Sequence, residues 1–368
     1  MAFDPDLRDG LIVEFLANAG WGDATRESLG QDASTRRYER LTRGAETAML
    51  MDAPGLGLDA NPPCAPDWSV EERLAQGWNA QSRLAASRVD AFAALSNYLV
   101  SAGYSAPKII AMNADDGLAI IEDLGDDLYA RVLESGGDET ELYAAAGALL
   151  ADLHNREAPS VVTSSAGDWP VLDFDRLALK VNADLFAAWM PLFEPNMRRD
   201  DAARQRVEAA VDDLIDELLK TKTSLVLRDY HAENLIWLPK RVGAARVGLL
   251  DFQDAVRGPR IWDWSMLLHD ARRDVSEAAK AAATHAYLDA SGGREEVFNR
   301  ELAVAGALNT LRILGVFARL VKRDGRDKYL SCVPREWRHL ADVLSHPVAA
   351  DLAAAVDHIF PDWRERAR

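Results

Sequence analysis

Apolar positions recur with helical period over most of this chain and give way to short strand-like runs in a few places. Residues 7–20 predict a first helix, with Leu11, Ile12, Phe15 and Leu16 on one face and Gly20 and Gly22 ending it. Over 27–52 the pattern becomes strand–turn–strand, and 53–68, rich in Pro, Gly and Asn, read as a long loop. A helix of mixed polarity is expected over 69–86, a stretch that reads as an insertion. A better amphipathic helix is expected over 88–102, with Val89, Phe92, Leu95, Leu99 and Val100 on its stripe. Two further strands follow, around 107–112 and 117–122, the second running into Glu122-Asp-Leu-Gly125. The remainder is mostly helical in period: 141–154, 171–193, 202–220, and near 276–290, 299–322, 335–345 and 348–360.

The densest apolar stretch runs from 225 to 268, and it carries the chemistry. It reads LVLRDYHAENLIWL, a short basic turn, then VGLLDFQDAVRGPRIWDWSMLL. Two strand-like runs each end in a carboxylate, Asp229 and Asp251, with Asn234 between them. Residues 235–238 and 247–250 read as the arms of a hairpin that would bring Asn234 beside Asp251. Carboxylates at the ends of very apolar strands are costly unless they have partners, such as a metal ion. The pattern outlines a metal-dependent phosphoryl-transfer site. Asp229 would orient the attacking hydroxyl and take its proton, and Asn234 and Asp251, both hard oxygen donors, would hold Mg2+ on the nucleotide phosphates. The competing reading is a hairpin corner with solvated acidic turns.

The polar turn from Gln31 to Arg36 is either a phosphate-covering loop or an exposed hairpin turn. No G-x-x-x-x-G-K-[ST] motif occurs, which excludes a P-loop nucleotide-binding site, and Gly55-Leu-Gly57 reads as loop flexibility. A net charge of −17 argues against a nucleic-acid partner and mildly favours a cationic substrate. No membrane partner is expected, since the apolar runs read as shorter than a span. The acidic N-terminus lacks a signal-peptide pattern, and two cysteines among 368 residues are too few for a disulfide framework, so a reducing cytoplasm is the expected location. The seven histidines show no zinc-ligand spacing. A β-rich front and a helical rear predict an α+β chain of two lobes, 1–125 and 126–368, with a ligand cleft between them.

The order of these motifs resembles the aminoglycoside phosphotransferase and choline kinase family, whose fold is protein-kinase-like. The resemblance covers nearly the whole chain. GQDASTRRYERL, MLMDAP, IIEDLG, LRDYHAENLIWL and LGVFARLVKRDGRDKYL are more specifically similar to bacterial cell-wall sugar kinases. These phosphorylate the anomeric hydroxyl of N-acetylmuramate and N-acetylglucosamine in peptidoglycan recycling. The resemblance implies that Asp229 is the catalytic base and that Asn234 and Asp251 are Mg2+ ligands. It implies further that Glu122 and Leu124 form the adenine-binding hinge, that Ser34, Thr35 and Arg36 cover the phosphates of ATP, and that Asp263 braces the catalytic loop.

Two positions depart from the general kinase pattern. Leu227 stands where a histidine is usual, and Met51 where a phosphate-pairing lysine belongs. Arg36 or Arg37 is the candidate to supply the missing charge. His231, Arg37 and Arg323 are candidate acceptor contacts, although His231 could brace its loop and Arg323 could lie in a solvated turn. Trp189, Trp237, Trp262 and Trp264 are either a sugar-stacking platform or core, and His154 reads as capping or core. The alternatives to an amino-sugar kinase are a kinase of an aminoglycoside, choline or thiamine, or a pseudokinase that binds nucleotide without transferring phosphate.

Overall fold

A computed structural model describes residues 5–30, 36–54 and 63–367. The described residues divide into two compact units, each discontinuous in sequence. The first comprises 1–132, 159–172 and 234–255, and the second 133–158, 173–233 and 256–368. These units do not follow the 125/126 division expected from sequence, since the 235–249 hairpin pairs its backbone with residues before 130.

The first unit is built on an antiparallel sheet of order β1-β2-β3-β5-β4: β1 (Thr25–Ser28), β2 (Arg37–Arg43), β3 (Glu46–Asp52), β4 (Ile109–Asn113) and β5 (Leu118–Glu122). Alternate residues of its central strands, Ala48, Leu50, Leu118 and Ile120, face one side. Helix α1 (Pro5–Asn18) lays Ile12, Phe15 and Leu16 onto them. Asp52 lies two residues beyond Leu50 on that face, and Arg8 one helical turn before Ile12. The two meet as a buried pair, with Nη2 2.6 Å from Oδ1. Arg37, the register partner of Asp52, binds its other oxygen at 2.5 Å. Gly117 closes the β4–β5 turn at φ +64, where a Cβ would lie 2.2 Å from the Ala53 carbonyl oxygen.

The expected helix over 69–86 is two, α2 (Val70–Gln76) and α3 (Trp78–Ser82), broken at Gly77 with φ 92. Helix α4 (Val89–Ser101) buries Val89, Phe92, Leu95 and Leu99 of its expected stripe, while Val100 is half-buried. Helix α5 (Tyr129–Glu134) runs from the first unit into the second, where α6 (Glu139–Asn155) follows. A hairpin of β6 (Val161–Ser164) and β7 (Gly167–Pro170) returns the chain to the first unit. The helix expected over 171–193 is shorter and double. It consists of α7 (Arg176–Ala183), capped by Asp175, and α8 (Leu185–Phe193), divided from it at Asp184.

The second unit is helical around one small ladder. Helix α9 (Asp201–Leu218) leads into β8 (Thr223–Val226), which pairs with β11 (Val256–Pro259). The intervening strands β9 (Leu235–Trp237) and β10 (Val247–Leu249) belong to the first unit. After β11 come α10 (Ile261–Leu268), α11 (Glu277–Ser291), α12 (Glu295–Lys322), α13 (Val333–Val343), α14 (Ala350–Ile359) and a last turn, α15 (Trp363–Arg366). Every residue of α10 is buried, so its sequence has no polar face from which to read a helical period. Helix α12, of 28 residues, is long and apolar enough to cross a bilayer, yet 72% of its apolar window is buried inside the unit, as a core helix requires. Gly315 lets α12 approach the start of α8, since a Cβ there would lie 2.3 Å from the Leu185 carbonyl carbon.

Candidate active site

In the second unit, β8 stops at Val226, two residues earlier than the apolar run suggests, and Arg228 turns the chain through φ 73. Asp229 therefore projects from a left-handed corner rather than from a strand end. Asp263, fully buried on α10, fixes that corner: its two oxygens accept the backbone N–H groups of Leu227 and Arg228, each at 2.8 Å. Burial pushes the Asp263 carboxyl up to about 7, against the pull of these two donors.

Asp229 borders a cavity of about 90 Å3 with His231, Asp270, Arg272 and Arg312, over an apolar floor that includes Met266 and Phe317. Arg312 Nη2 lies 3.4 Å from Asp229 Oδ1. The guanidinium is held in turn by Asn309 Oδ1 at 2.9 Å, one helical turn back on α12. Burial works against ionisation of Asp229, but Arg312, with His231, Arg228 and Arg272 behind it, outweighs burial and holds the carboxyl below its ordinary value. His231 is buried, with Nε2 3.3 Å from Arg272 Nη1. Burial and that cation lower its pKa. Arg272 is matched by Glu233 at 2.6 Å, and Asp270 accepts the backbone N–H groups of Ala232 at 3.4 Å and Arg272 at 2.9 Å.

In the first unit, β9 and β10 pair as the hairpin expected, Leu235 opposite Leu249, and the Leu250 N–H donates to the Asn234 carbonyl at 3.0 Å. The hairpin thus brings Asn234 and Asp251 to neighbouring backbone positions. Asp251 adopts φ 56, a conformation costing of order 1–3 kcal/mol for a residue with a Cβ and concentrated at functional sites. Its carboxylate, 38% exposed, receives Arg36 Nη2 at 2.6 Å. Burial disfavours the Arg36 charge, but Asp251, with Tyr38 and Asp254, more than compensates, and its pKa is raised. Phe252 stacks on Phe92 with ring centroids 4.8 Å apart, and Asp254 accepts the Ala85 N–H at 2.6 Å. These contacts fix the segment after Asp251.

Glu122 ends β5 with its carboxylate 3.1 Å from Arg241 of the hairpin turn, and Leu124 packs against Gly248. Arg40 of β2 binds Asp123 at 2.8 Å and Asp126 at 2.9 Å, latching the segment that contains Leu124. Among the described residues no group of three or more His, Cys, Asp or Glu side chains forms a metal cage. Asn234 and Asp251 nevertheless fit a hard cation, as two oxygen donors for an ion that takes its remaining ligands from phosphates and water.

Other sequence candidates fall elsewhere. Ser34 and Thr35 lie outside the described residues, as does Gly55-Leu-Gly57. Arg37 is joined to Asp52 and Met51 is fully buried, with Tyr38 Oη 3.5 Å from its sulfur. Arg323 caps α12 and binds Asp324 at 2.7 Å rather than lining the cavity. Trp237, Trp262 and Trp264 are core residues, and His154 is buried with Nδ1 3.4 Å from Tyr287 Oη. Sequence reasoning passed over Arg312, Arg272 and Asp270. The clearest missed signal was Arg312, the one charge in the run AGALNTLRILGVFA.

A model of the phosphotransferase enzyme family matches residues 25–297. An N-acetylmuramate/N-acetylglucosamine kinase from Caulobacter vibrioides is 48% identical over 96% of this chain and 97% of its own length. A choline/ethanolamine kinase family protein from Mesorhizobium loti shares the fold at TM-score 0.57 and 14% identity, over 95% of this chain and 99% of its own. An amicoumacin kinase in complex with AMP-PNP and Ca2+ does so at TM-score 0.56 and 13% identity, over 93% and 96%. The α+β, protein-kinase-like architecture expected from the sequence is the one these structures share, and the chain belongs to the phosphotransferase enzyme family.

Proposed function

We propose that this chain is an ATP- and Mg2+-dependent kinase that phosphorylates the anomeric hydroxyl of N-acetylmuramate and N-acetylglucosamine, in the recycling of peptidoglycan. The observation that carries the acceptor is the 48% identity, end to end, with the kinase of that name. What supports the chemistry is, in the second unit, Asp229 on its corner facing the cavity with Arg312, and, in the first, Asn234 and Asp251 at neighbouring positions of the hairpin.

In this reading the Asp229 carboxylate orients the anomeric hydroxyl by accepting its hydrogen bond. As the hydroxyl oxygen bonds to the γ-phosphorus, the bond from that phosphorus to the β–γ bridging oxygen breaks. Its electron pair leaves on ADP, and the hydroxyl proton passes to Asp229. A carboxyl held below its ordinary pKa is a weak base, which suits a loose transition state in which the proton moves late. Asn234 and Asp251 would hold Mg2+, which when bound neutralises charge on the phosphates. Ser34, Thr35 and Arg36 cover the phosphates, and Glu122 and Leu124 present the hinge to adenine. Arg36 takes the part that a lysine at position 51 would have. His231 lines the acceptor side, and Asp263 braces the loop. The nucleotide-binding part of 1–125 is joined by the hairpin that carries Asn234 and Asp251, and the rest of 126–368 binds the acceptor. A cytoplasmic location follows from the need for ATP.

The buried Met51 favours one other reading, a nucleotide-binding protein without transfer. Coupled ADP release distinguishes them across N-acetylmuramate, N-acetylglucosamine, kanamycin, choline and no acceptor. The kinase reading expects turnover with the N-acetyl sugars and phosphorus NMR placing phosphate on C1. Turnover only with a cationic acceptor, or with none while ATP still binds, would sink it.

A further inference from the structure

A kinase of this architecture pairs the nucleotide phosphates with a lysine on its third strand, and this chain carries Met51 on β3 instead. Met51 is fully buried and is the register partner of Tyr38 on β2. The Tyr38 hydroxyl donates to the Met51 sulfur at 3.5 Å. Arg36 stands two residues before Tyr38, the spacing at which a strand turns side chains to one face. Its guanidinium donates to the Tyr38 hydroxyl as well as to Asp251, the latter at 2.6 Å. All four residues belong to the first unit.

The donors and acceptors of this chain of contacts run in one direction. A tyrosine hydroxyl has one proton to give and lone pairs with which to accept. Met51 offers a soft acceptor and no donor, so it takes the Tyr38 proton and leaves the lone pairs of the oxygen to Arg36. A lysine at position 51 would invert this. Its ammonium only donates, so it would compete with Arg36 for the Tyr38 oxygen. It would also set a second cation against a guanidinium that is only 10% exposed.

We propose that Tyr38 is a positioning residue for the nucleotide: its hydroxyl, oriented by Met51, holds the Arg36 guanidinium in the place from which a lysine on β3 would serve the phosphates. This rests on the reading of Arg36 as the phosphate contact. In that reading Arg36 exchanges Asp251 for the phosphates when Mg2+ is bound, and Tyr38 is the contact that it keeps through the exchange. Met51 is then a part that the arginine arrangement requires, not a part that is missing.

The test is a double-mutant cycle on the full chain: wild type, Tyr38→Phe, Arg36→Ala and the two together. It reads kcat and KM for ATP with N-acetylmuramate as acceptor and, apart from turnover, Kd for ADP by calorimetry without metal. Tyr38→Phe keeps the ring and removes the hydroxyl. It should raise KM for ATP and Kd for ADP by about three- to tenfold, the scale of one lost hydrogen bond, and leave KM for the sugar unchanged. In the Arg36→Ala background the same substitution should change either value by less than about twofold. An equal loss in both backgrounds, the mark of a structural role, would overturn the proposal. So would wild-type nucleotide affinity in Tyr38→Phe. If Tyr38→Phe does not fold, Met51→Leu, which removes the sulfur acceptor, takes its place in the cycle. A smaller loss is then expected, again only where Arg36 is present, and a loss independent of Arg36 counts against the proposal as before. Failure of the kinase reading is separate: no acceptor would be turned over, while ADP binding would still decide for or against Tyr38.

Discussion

At Asp229 two effects of opposite sign meet, and their balance decides what the residue can do. Burial favours the neutral acid, whereas Arg312 favours the anion and prevails. The depressed pKa keeps the carboxylate ionised until the pH falls below the ordinary carboxylate range, so its activity should show no acid limb near neutrality. Asp229→Asn removes the proton acceptor but not the nucleotide contacts. It should lower kcat by about 10²–10⁴-fold with little change in KM for ATP. Wild-type turnover in that variant would remove Asp229 from the role of base.

Arg36 presents a different competition. It is paired with Asp251 at 2.6 Å, so a cation arriving at Asp251 must displace a guanidinium already in contact with it. Replacing Arg36 with Ala should raise KM for ATP, by roughly tenfold for one lost charged contact, while metal activation shifts to lower concentration. Titration of ATP and metal in steady-state assays reads both, and no change in either would leave the phosphate charge unexplained at Arg36.

Among the elements, those that place the site were the easiest to anticipate and those that support it the hardest. The hairpin from Leu235 to Leu249 could be anticipated because two apolar runs flank a polar turn, and its register follows from their lengths. The left-handed corners at Arg228 and Asp251 could not, because neither is glycine and nothing local marks them. Helix α10 was hidden by its uniform burial, and the break at Asp184 because that residue itself keeps right-handed helical dihedrals, φ -62 and ψ -17. Arg312 was hidden for the opposite reason: its partner lies 83 positions away in sequence, and only the packed helix brings them together. At the same scale, Gly315→Ala places a methyl group against the Leu185 backbone. It should cost about 1–3 kcal/mol by overpacking, and thermal unfolding would show it as a lowered midpoint. An unchanged midpoint would mean that α8 and α12 can part there without penalty.

For the molecule as a whole, two buried histidines link stability to pH. Burial lowers both His154 and His269 to about 3, with Arg260 adding to the effect at the first and His339 at the second. Each is neutral when folded and protonated when unfolded, so stability is fully present above about pH 6.5 and is lost as the pH falls toward 3. The slope is up to about 1.4 kcal/mol per pH unit per residue. Unfolding midpoints at pH 7 and pH 5 should therefore differ, and His154→Phe should reduce the difference. Asp263, pushed up to about 7, works in the opposite direction over this range, so the His154→Phe comparison rather than the wild-type slope decides whether the buried rings stay neutral.

The interleaving of the two units bears on how the chain is made. The sheet of the first unit is complete in sequence by Glu122, but its compact body also requires 159–172 and the hairpin within 234–255. A growing chain emerging from the ribosome N-terminus first presents that sheet long before its closing strands exist. Domains that are continuous in sequence can fold one after another during synthesis, at about 5–20 residues per second. Here the first unit must wait for residue 255, by which time the early helices of the second are already exposed. Vectorial synthesis therefore gives no head start to the N-terminal end, and a fragment ending near residue 125 is an unfinished body rather than a small stable lobe.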